Sequence, residues 1–330
     1  MTKPFVIRDA TEADRDAVLA LLAAAHGSEV RDAATWDWLF RGRLDRYVVA
    51  DAEGRLAAQY ALLPVRVLHR GEVVEASLSL DTATHPDFGG QGLMTDLGNR
   101  AYARPGAELV FGFPNPSSAW ILYNRLGWHE LRPFPLLFKP LAGLLRAATG
   151  LPAPTLRRTA ARAERFDRFG SWADHIWEET AAGLGTSVVR DSPRLNWRYA
   201  DAPFTYDRFL VRAGDEPVAF AVLRTVSWRR GKLSYLMDFA AVQGATAEAA
   251  SVLNEAVATA RSAGSAGVAA VATPRNPLFD VLRASGFRTV PARARRQFSF
   301  GARLSGRLES HDELRRLDGW HITAGDFDHI

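Results

Sequence analysis

One local pattern occurs twice in this chain and limits what it can fold into. Leu109-Val110-Phe111-Gly112-Phe113-Pro114-Asn115-Pro116 leads through a helical stretch to Leu126-Gly127-Trp128. Val268-Ala269-Ala270-Val271-Ala272-Thr273-Pro274-Arg275-Asn276-Pro277 leads through another to Ser285-Gly286-Phe287. Both read as strand, proline–asparagine–proline corner, helix and glycine–aromatic pair. The two glycine–aromatic pairs lie 159 residues apart. An internal repeat is the natural explanation; the alternative is chance recurrence of a common α/β corner. At roughly 100–200 residues per domain, two copies of one unit fit the 330 residues.

The chain has no cysteine. Disulfides, cysteine-ligated metal and a thiol nucleophile are therefore excluded, and no metal is expected. Met1-Thr2-Lys3-Pro4-Phe5 is followed by acidic residues rather than an apolar run, so no signal peptide is expected. No run of about 20 apolar residues suggests a membrane span. A cytoplasmic protein, monomer or homodimer, is the expectation. The net charge is +4, and lysine occurs only at Lys3, Lys139 and Lys232. The arginine excess suits an anionic ligand, though a genome rich in arginine codons gives the same composition. Basic and acidic residues are interspersed, which argues against nucleic acid as partner. The exceptions are Arg157, Arg158, Arg162, Arg165 and Arg168, and again Arg293, Arg295 and Arg296.

Phe5–Arg8 reads as a short strand. Thr11 with Asp14 three residues on suits a helix start, and Val18, Leu19, Leu21 and Leu22 suit an amphipathic helix ending near His26-Gly27. A second short helix carries Trp36, Trp38, Leu39 and Phe40. Strands are expected at Tyr47–Ala50, Leu56–Leu63 and Val73–Ala83. The last alternates, with Ala76, Leu78, Leu80 and Thr82 on one face and Ser77, Ser79 and Asp81 on the other. Gly150, Pro152 and Pro154 mark a connection. Strands at Phe209–Arg212, Pro217–Thr225 and Leu233–Ala241 and a helix over 246–262 follow.

Gly89-Gly90-Gln91-Gly92 lies between the long strand and a helix. Glycines let a backbone approach a ligand, and amides at a helix N-terminus bind phosphate. No Gly-Lys-Ser/Thr follows, and the Gly-x-Gly-x-x-Gly spacing fails, so neither common nucleotide loop is present. With the surrounding element order, Asp81-Thr82-Ala83-Thr84-His85-Pro86-Asp87-Phe88-Gly89-Gly90-Gln91-Gly92-Leu93 resembles the pyrophosphate loop of the GCN5-related N-acetyltransferase (GNAT) superfamily. Gly89 stands where that loop has Arg or Gln, Gly92 matches its central glycine, and Met94 replaces its last small residue. Leu122-Tyr123-Asn124-Arg125-Leu126-Gly127-Trp128 is similar to the family's second signature. The resemblance covers roughly residues 3–135. The second half reads as a degenerate copy: Val242-Gln243-Gly244-Ala245-Thr246 lacks Gly-x-Gly, and Leu282 falls where Tyr123 sits.

The resemblance implies an α/β chain of two tandem GNAT-like domains, each a mixed, largely antiparallel sheet flanked by helices. The first would span 1–140 and hold an acyl-CoA, acetyl-CoA foremost. A linker would cover 141–165, and 166–330 would help bind the acceptor. The implied donor site is Thr82, Ala83, Gly89, Gly90, Gln91, Gly92, Leu93, Met94 and Asn115. The implied activity is transfer of the acyl group to a primary amine of a small molecule. Arg190-Asp191, Asn196-Trp197-Arg198-Tyr199 and the segment from Trp320 to Asp326 resemble tandem acyltransferases of polysaccharide pathways, which suggests a nucleotide-linked amino sugar. Without cysteine, direct attack of the amine is expected. Asp81 and His85 are the candidate bases, and the resemblance gives Tyr123 the role of protonating the departing thiolate. Trp36, Trp38, Arg190, Trp197 and Arg198 are the candidate acceptor-binding residues; core packing for the tryptophans and an Asp191–Arg198 ion pair are the structural alternatives. A related tandem enzyme using aminoacyl-tRNA, or a non-catalytic ligand-binding protein, remains open at this point.

Overall fold

The computed structural model describes residues 5–27, 31–141, 162–228, 231–295 and 298–327. Most of the expected linker, with Arg157 and Arg158, and Arg296 lie outside them. Among the described residues the strands form two sheets. The first contains β1 (Val6–Asp9), β2 (Tyr47–Ala52), β3 (Arg55–His69), β4 (Glu72–Thr84), β5 (Leu109–Gly112) and β6 (His129–Glu130). The second contains β7 (Leu136–Pro140), β8 (Glu164–Arg165), β10 (Asp207–Ala213), β11 (Glu216–Trp228), β12 (Gly231–Ala241), β13 (Ser265–Val271) and β14 (Arg288–Thr289). Three later strands, β9 (Thr186–Val188), β15 (Gly301–Leu304) and β16 (Trp320–His321), return to the first sheet. Each sheet is antiparallel except for its parallel pairs, chiefly β4 with β5 and β12 with β13.

Strand β3 is buried almost throughout because helices cover both of its faces. Ala61, Leu63, Val65 and Val67 join the core beneath α1 (Arg15–His26) and α2 (Ala33–Phe40). Ala58, Tyr60 and Leu62 join the core beneath α3 (Leu93–Tyr102) and α4 (Pro116–Arg125). The first core continues into the second half through Phe169, Ile176, Tyr199, Leu210 and Phe220, which bring in α5 (Ser171–Ala181) and α6 (Ser192–Tyr199). In the second half, α7 (Thr246–Ser262) lays Ala249, Val252, Leu253, Ala256 and Val257 on Phe209, Val211, Ala219 and Ala221. The last helix before the glycine–aromatic pair, α8 (Phe279–Ala284), packs Val281 and Leu282 into that same core. Among the described residues no helix is long and apolar enough to cross a membrane.

The two halves exchange a strand. β7 belongs to the first half in sequence but lies between β13 and β14, pairing from Gly267–Pro140 to Val271–Leu136. Reciprocally, β15 lies between β5 and β6, with Gly301 opposite Gly112 and Glu130. A division of the chain at residue 140 therefore does not separate the sheets. Register in both exchanged strands depends on a glycine. A Cβ on Gly267 would stand 2.2 Å from the Phe138 ring and 2.8 Å from the Lys139 carbonyl oxygen. Inserting such an atom into a packed interface costs about 1–3 kcal/mol. Gly267→Ala is therefore expected to lower stability by about that amount in urea unfolding. A change below about 0.5 kcal/mol, the scatter of surface substitutions, would refute the close fit.

Candidate active site

Strands β4 and β5 pair from Ser77–Val110 to Ser79–Gly112. Beyond that point they part, and a cleft of about 600 Å³ opens between them. Leu80, Asp81 and Thr82 form one wall, and Phe113, Pro114 and Asn115 the other. Opposite Tyr60 of β3, β4 places both Asp81 and Thr82, which is a β-bulge. The extra residue moves the core face from Leu80 to Ala83 rather than to Thr82 as strict alternation predicts. Asp81 takes the left-handed conformation, with φ of 50°. Such a conformation in a residue other than glycine needs support from its surroundings. The Gln59 amide donates to the Asp81 carbonyl at 2.6 Å, and the Tyr47 hydroxyl donates to Gln59 at 2.6 Å. The Arg31 Nε donates to the Asp81 carboxylate at 2.8 Å, both side chains being buried.

This ion pair changes the reading of Asp81. The carboxylate has no exposed surface and is bound to the Arg31 guanidinium, which suits it to hold the bulge in place. His85 is also not at the cleft. It caps the turn before the glycine loop, accepting from the Asp87 amide at 3.1 Å, and its Nε2 meets Arg55 at 2.8 Å. The histidine that does line the cleft is His26, at the end of α1. Its Nε2 lies 3.3 Å from the Thr82 carbonyl oxygen on the bulge. Nothing in its local sequence marks it, because the contact is made 56 residues away.

The glycine loop is built to present backbone. Phe88, Leu93 and Met94 are buried in the core beneath α3 and α4, which holds the loop at both ends. Gly90 and Gly92 have φ of 76° and 78°, and a Cβ built on either meets nothing within 4 Å. Gly92 is also the N-cap of α3. Gly89 spends its amide on the Pro86 carbonyl. Among the described residues, the amides of 90–94 have no backbone acceptor, so they are available to an anion at the helix start. Arg55 stands beside the loop, 2.9 Å from Asp87 and over the Phe88 ring at 5.4 Å. It is a basic side chain at the loop where Gly89 offers none, and it is paired with Asp87.

Asn115 N-caps α4, accepting from the Ser117 and Ser118 amides at 3.0 and 2.9 Å. Ser118 and Leu122 of that helix line the cleft. Tyr123 sits at the same end of the sheet but one strand over, above Gly301, where a Cβ would come within 2.9 Å of its hydroxyl. The hydroxyl lies 2.5 Å from Ser299 Oγ. Burial pushes the phenol up to about 12, so it keeps its proton throughout the neutral range.

The acceptor-binding expectations divide. Trp36 is buried against Phe40 and belongs to the core. Trp38 and Trp197 stack on each other at 4.5 Å, and Trp38 also meets Phe204 of the cleft wall edge-on. Arg190 and Arg198 do not line the cleft. Arg190 binds Asp238 at 2.9 Å and Asp326 at 2.8 Å, with Ser187 and Thr323 completing its fork. Arg198 donates to the Gly325 carbonyl at 2.9 Å and to the Tyr206 hydroxyl. The Asp191–Arg198 pair is also absent among the described residues: Asp191 N-caps α6 and pairs with Arg66. Arg224, over the Phe204 ring at 4.1 Å, is instead the second-half arginine that lines the cleft.

The second half repeats the ion pair. Arg31-Asp32 precedes Trp38 and Phe40, and Arg190-Asp191 precedes Trp197 and Tyr199, again 159 residues apart. Both aspartates are N-caps, of α2 and α6. Arg31 binds Asp81 of β4, and Arg190 binds Asp238 of β12. Here, however, the position of the cleft is filled. Asp326 and Thr323 sit on Arg190, and Gly325 fits where a Cβ would stand 1.9 Å from the Tyr199 hydroxyl. Only about 30 Å³ remains beside them. Away from both clefts, His69, His311 and Glu313 form one cluster with metal-ligand character. His69 Nε2 meets His311 Nδ1 at 2.8 Å, and Glu313 is paired with Arg70.

Comparison with known proteins places these features. Residues 6–131 match the acetyltransferase (GNAT) domain model. No curated protein matches the sequence significantly. Among solved structures, a GCN5-related N-acetyltransferase from Anabaena variabilis is 12% identical, with a TM-score of 0.68 over 91% of this chain and 73% of that one. Saccharomyces cerevisiae N-myristoyltransferase with bound myristoyl-CoA is 13% identical, with a TM-score of 0.59 over 92% of this chain and 83% of that one. A GCN5-related N-acetyltransferase from Kribbella flavida is 18% identical, with a TM-score of 0.59 over 91% and 71%. The likeness runs through both halves, and the chain has the tandem GNAT fold.

Arg190→Met tests the structural reading of the arginines. It leaves two buried carboxylates facing each other, a loss of about 3–5 kcal/mol for a buried pair broken on one side. Urea unfolding should show that loss. A variant of unchanged stability would return Arg190 to the role of a ligand group.

Proposed function

We propose that the chain transfers an acyl group from acyl-CoA, acetyl-CoA foremost, to a primary amine of a small molecule, in the cytoplasm. The observation that carries this reading is the parting of β4 and β5 at the Asp81 bulge. It opens a cleft of about 600 Å³, a volume typical of ligand sites, and the glycine loop lies just past the end of β4. The amides of Gly90 to Met94 and Arg55 would hold the pyrophosphate, and Asn115 and Ser118 would flank the pantetheine arm. The CoA thioester supplies an activated acyl carbon and a stabilised leaving group.

The chain's own residues would then act in sequence. The bulge turns a backbone N–H between Asp81 and Ala83 toward the acyl oxygen, where negative charge gathers during attack. His26 accepts the proton of the attacking amine; with Nε2–H given to the Thr82 carbonyl, Nδ1 is the free acceptor. The new C–N bond forms as the C–S bond breaks, and Tyr123 returns a proton to the thiolate. Arg224 and Phe204, from the second half, close the acceptor side of the cleft. A cationic wall there favours acceptors that carry an anionic group, and nucleotide-linked amino sugars are the first to test. With no cysteine in the chain, transfer is direct.

Release of free thiol from acetyl-CoA, and from longer acyl-CoAs, against a panel of amines and nucleotide amino sugars tests the reaction. Acceptor-dependent release is expected. No release with any acceptor, together with no CoA binding, would overturn the enzyme reading.

His26→Gln and Tyr123→Phe test the residue roles. Each is expected to lower kcat by about 10²–10⁴-fold while leaving CoA affinity within a few fold. With the phenol near 12, Tyr123 imposes no loss of activity below about pH 11. An unchanged kcat in either variant would remove that residue from the mechanism.

A further inference from the structure

A second cavity lies at the junction of the halves, on the far side of the tryptophan stack from the cleft. Its volume is about 250 Å³, and it shares no lining residue with the cleft. Arg43 follows α2, Arg66 comes from β3, and Arg194 and Trp197 come from α6. Two of the arginines around it are neutralised: Arg46 binds Glu75 at 2.9 Å, and Arg66 pairs with Asp191. The other two are not. Arg43 donates to the Trp38 carbonyl at 3.3 Å, and among the described residues it meets no carboxylate. Arg194 lies over the Trp197 ring at 4.4 Å, and Arg43 approaches the same ring at 5.1 Å. No hydrogen-bond acceptor for Arg194 is present among the described residues. The nearest acid to influence it, Asp326, is already bound to Arg190.

Both arginines are half-buried, and a partly desolvated cation without a counter-charge is costly. Burial lowers both guanidiniums from their ordinary range, Arg194 to about 10. Two guanidiniums that meet no carboxylate among the described residues, side by side on one small cavity, are complementary to a single oxyanion. Arginine forks suit the tetrahedral, multiply accepting oxygens of phosphate.

We propose that Arg43 and Arg194, both held against the Trp197 ring, form a phosphate-binding site, sized for a phosphomonoester or pyrophosphate group of a small molecule. The site stands independently of the acyl-transfer reading. It connects to the cleft through Trp197, Trp38 and Phe204, so an occupant would order the stack that borders the acceptor wall.

Calorimetric titration with inorganic phosphate and with pyrophosphate, at ionic strength held constant with chloride, tests the proposal. Acetate serves as the carboxylate control. Wild-type protein is expected to bind one phosphate or pyrophosphate per chain, at least tenfold more tightly than acetate. Arg194→Gln and Arg43→Gln should each weaken binding at least tenfold. Arg43 is the more exposed of the two arginines, so its variant reports even if Arg194→Gln fails to fold. Pyrophosphate could also reach the glycine loop, and binding there would be the same in wild type and Arg43→Gln. No binding by the wild type at millimolar anion would overturn the proposal. So would equal binding by wild type and Arg43→Gln, which would place the anion elsewhere.

Discussion

The rest of the structure depends on a buried arginine–aspartate pair that is made twice. In each half an arginine just before a short helix reaches a carboxylate on the central strand: Arg31 to Asp81, and Arg190 to Asp238. A buried charge is tolerated only with its partner in place, so the pair fixes where the helix begins relative to the strand. The aspartate after each arginine caps the helix it starts, at 2.7 Å in one half and 3.0 Å in the other. In the first half the same contact supports the left-handed backbone at Asp81. That bulge is what separates β4 from β5. The cleft therefore opens beside an ion pair that belongs to the architecture of both halves.

The helix that follows the pair explains why the two tryptophans of α2 behave differently. Residues two apart on a helix face nearly opposite directions. Trp36 turns into the core and Trp38 turns out to the junction. Trp197 holds the place of Trp38 in the second half, and the two rings meet face to face. The stack thus marks where the copies touch, and the Trp38 indole confirms the contact by donating to the Trp197 carbonyl at 2.8 Å. Aromatic faces expected to hold an acceptor are instead occupied by each other.

Much of this was legible in the sequence, and the failures have physical causes. Period-two alternation and glycine turns located the strands, but a strand's pattern shows which face is apolar and not which sheet receives it. The exchange of β7 and β15 is invisible for that reason. Expecting β3 to end at Leu63 reflects Pro64. The strand continues to His69 because β2 stops pairing at Ala61, so the proline lacks no partner on that side. Arginine roles were the least legible. Arg190 and Arg198 look like ligand groups until Asp238, Asp326 and Gly325 arrive from 48, 136 and 127 residues away. The glycine loop was legible because its function resides in local backbone.

The duplication supplies its own control on which residues are architecture and which are chemistry. A residue the fold requires should recur in both copies, whereas one the reaction requires need persist only where the reaction occurs. Arg31, Asp32, Trp38 and Asp81 have counterparts in Arg190, Asp191, Trp197 and Asp238. Tyr123 does not: at the same 159-residue spacing the second half has Leu282, buried in its core. His26 does not either, for Gly185 stands at that spacing. The glycine loop becomes Val242 to Thr246 with a single glycine. In the second half Arg190 binds Asp326 and Thr323 as well as Asp238, so the segment 323–326 fills the space that in the first half is a cleft. The fold is thus carried by both copies, and the open site by one.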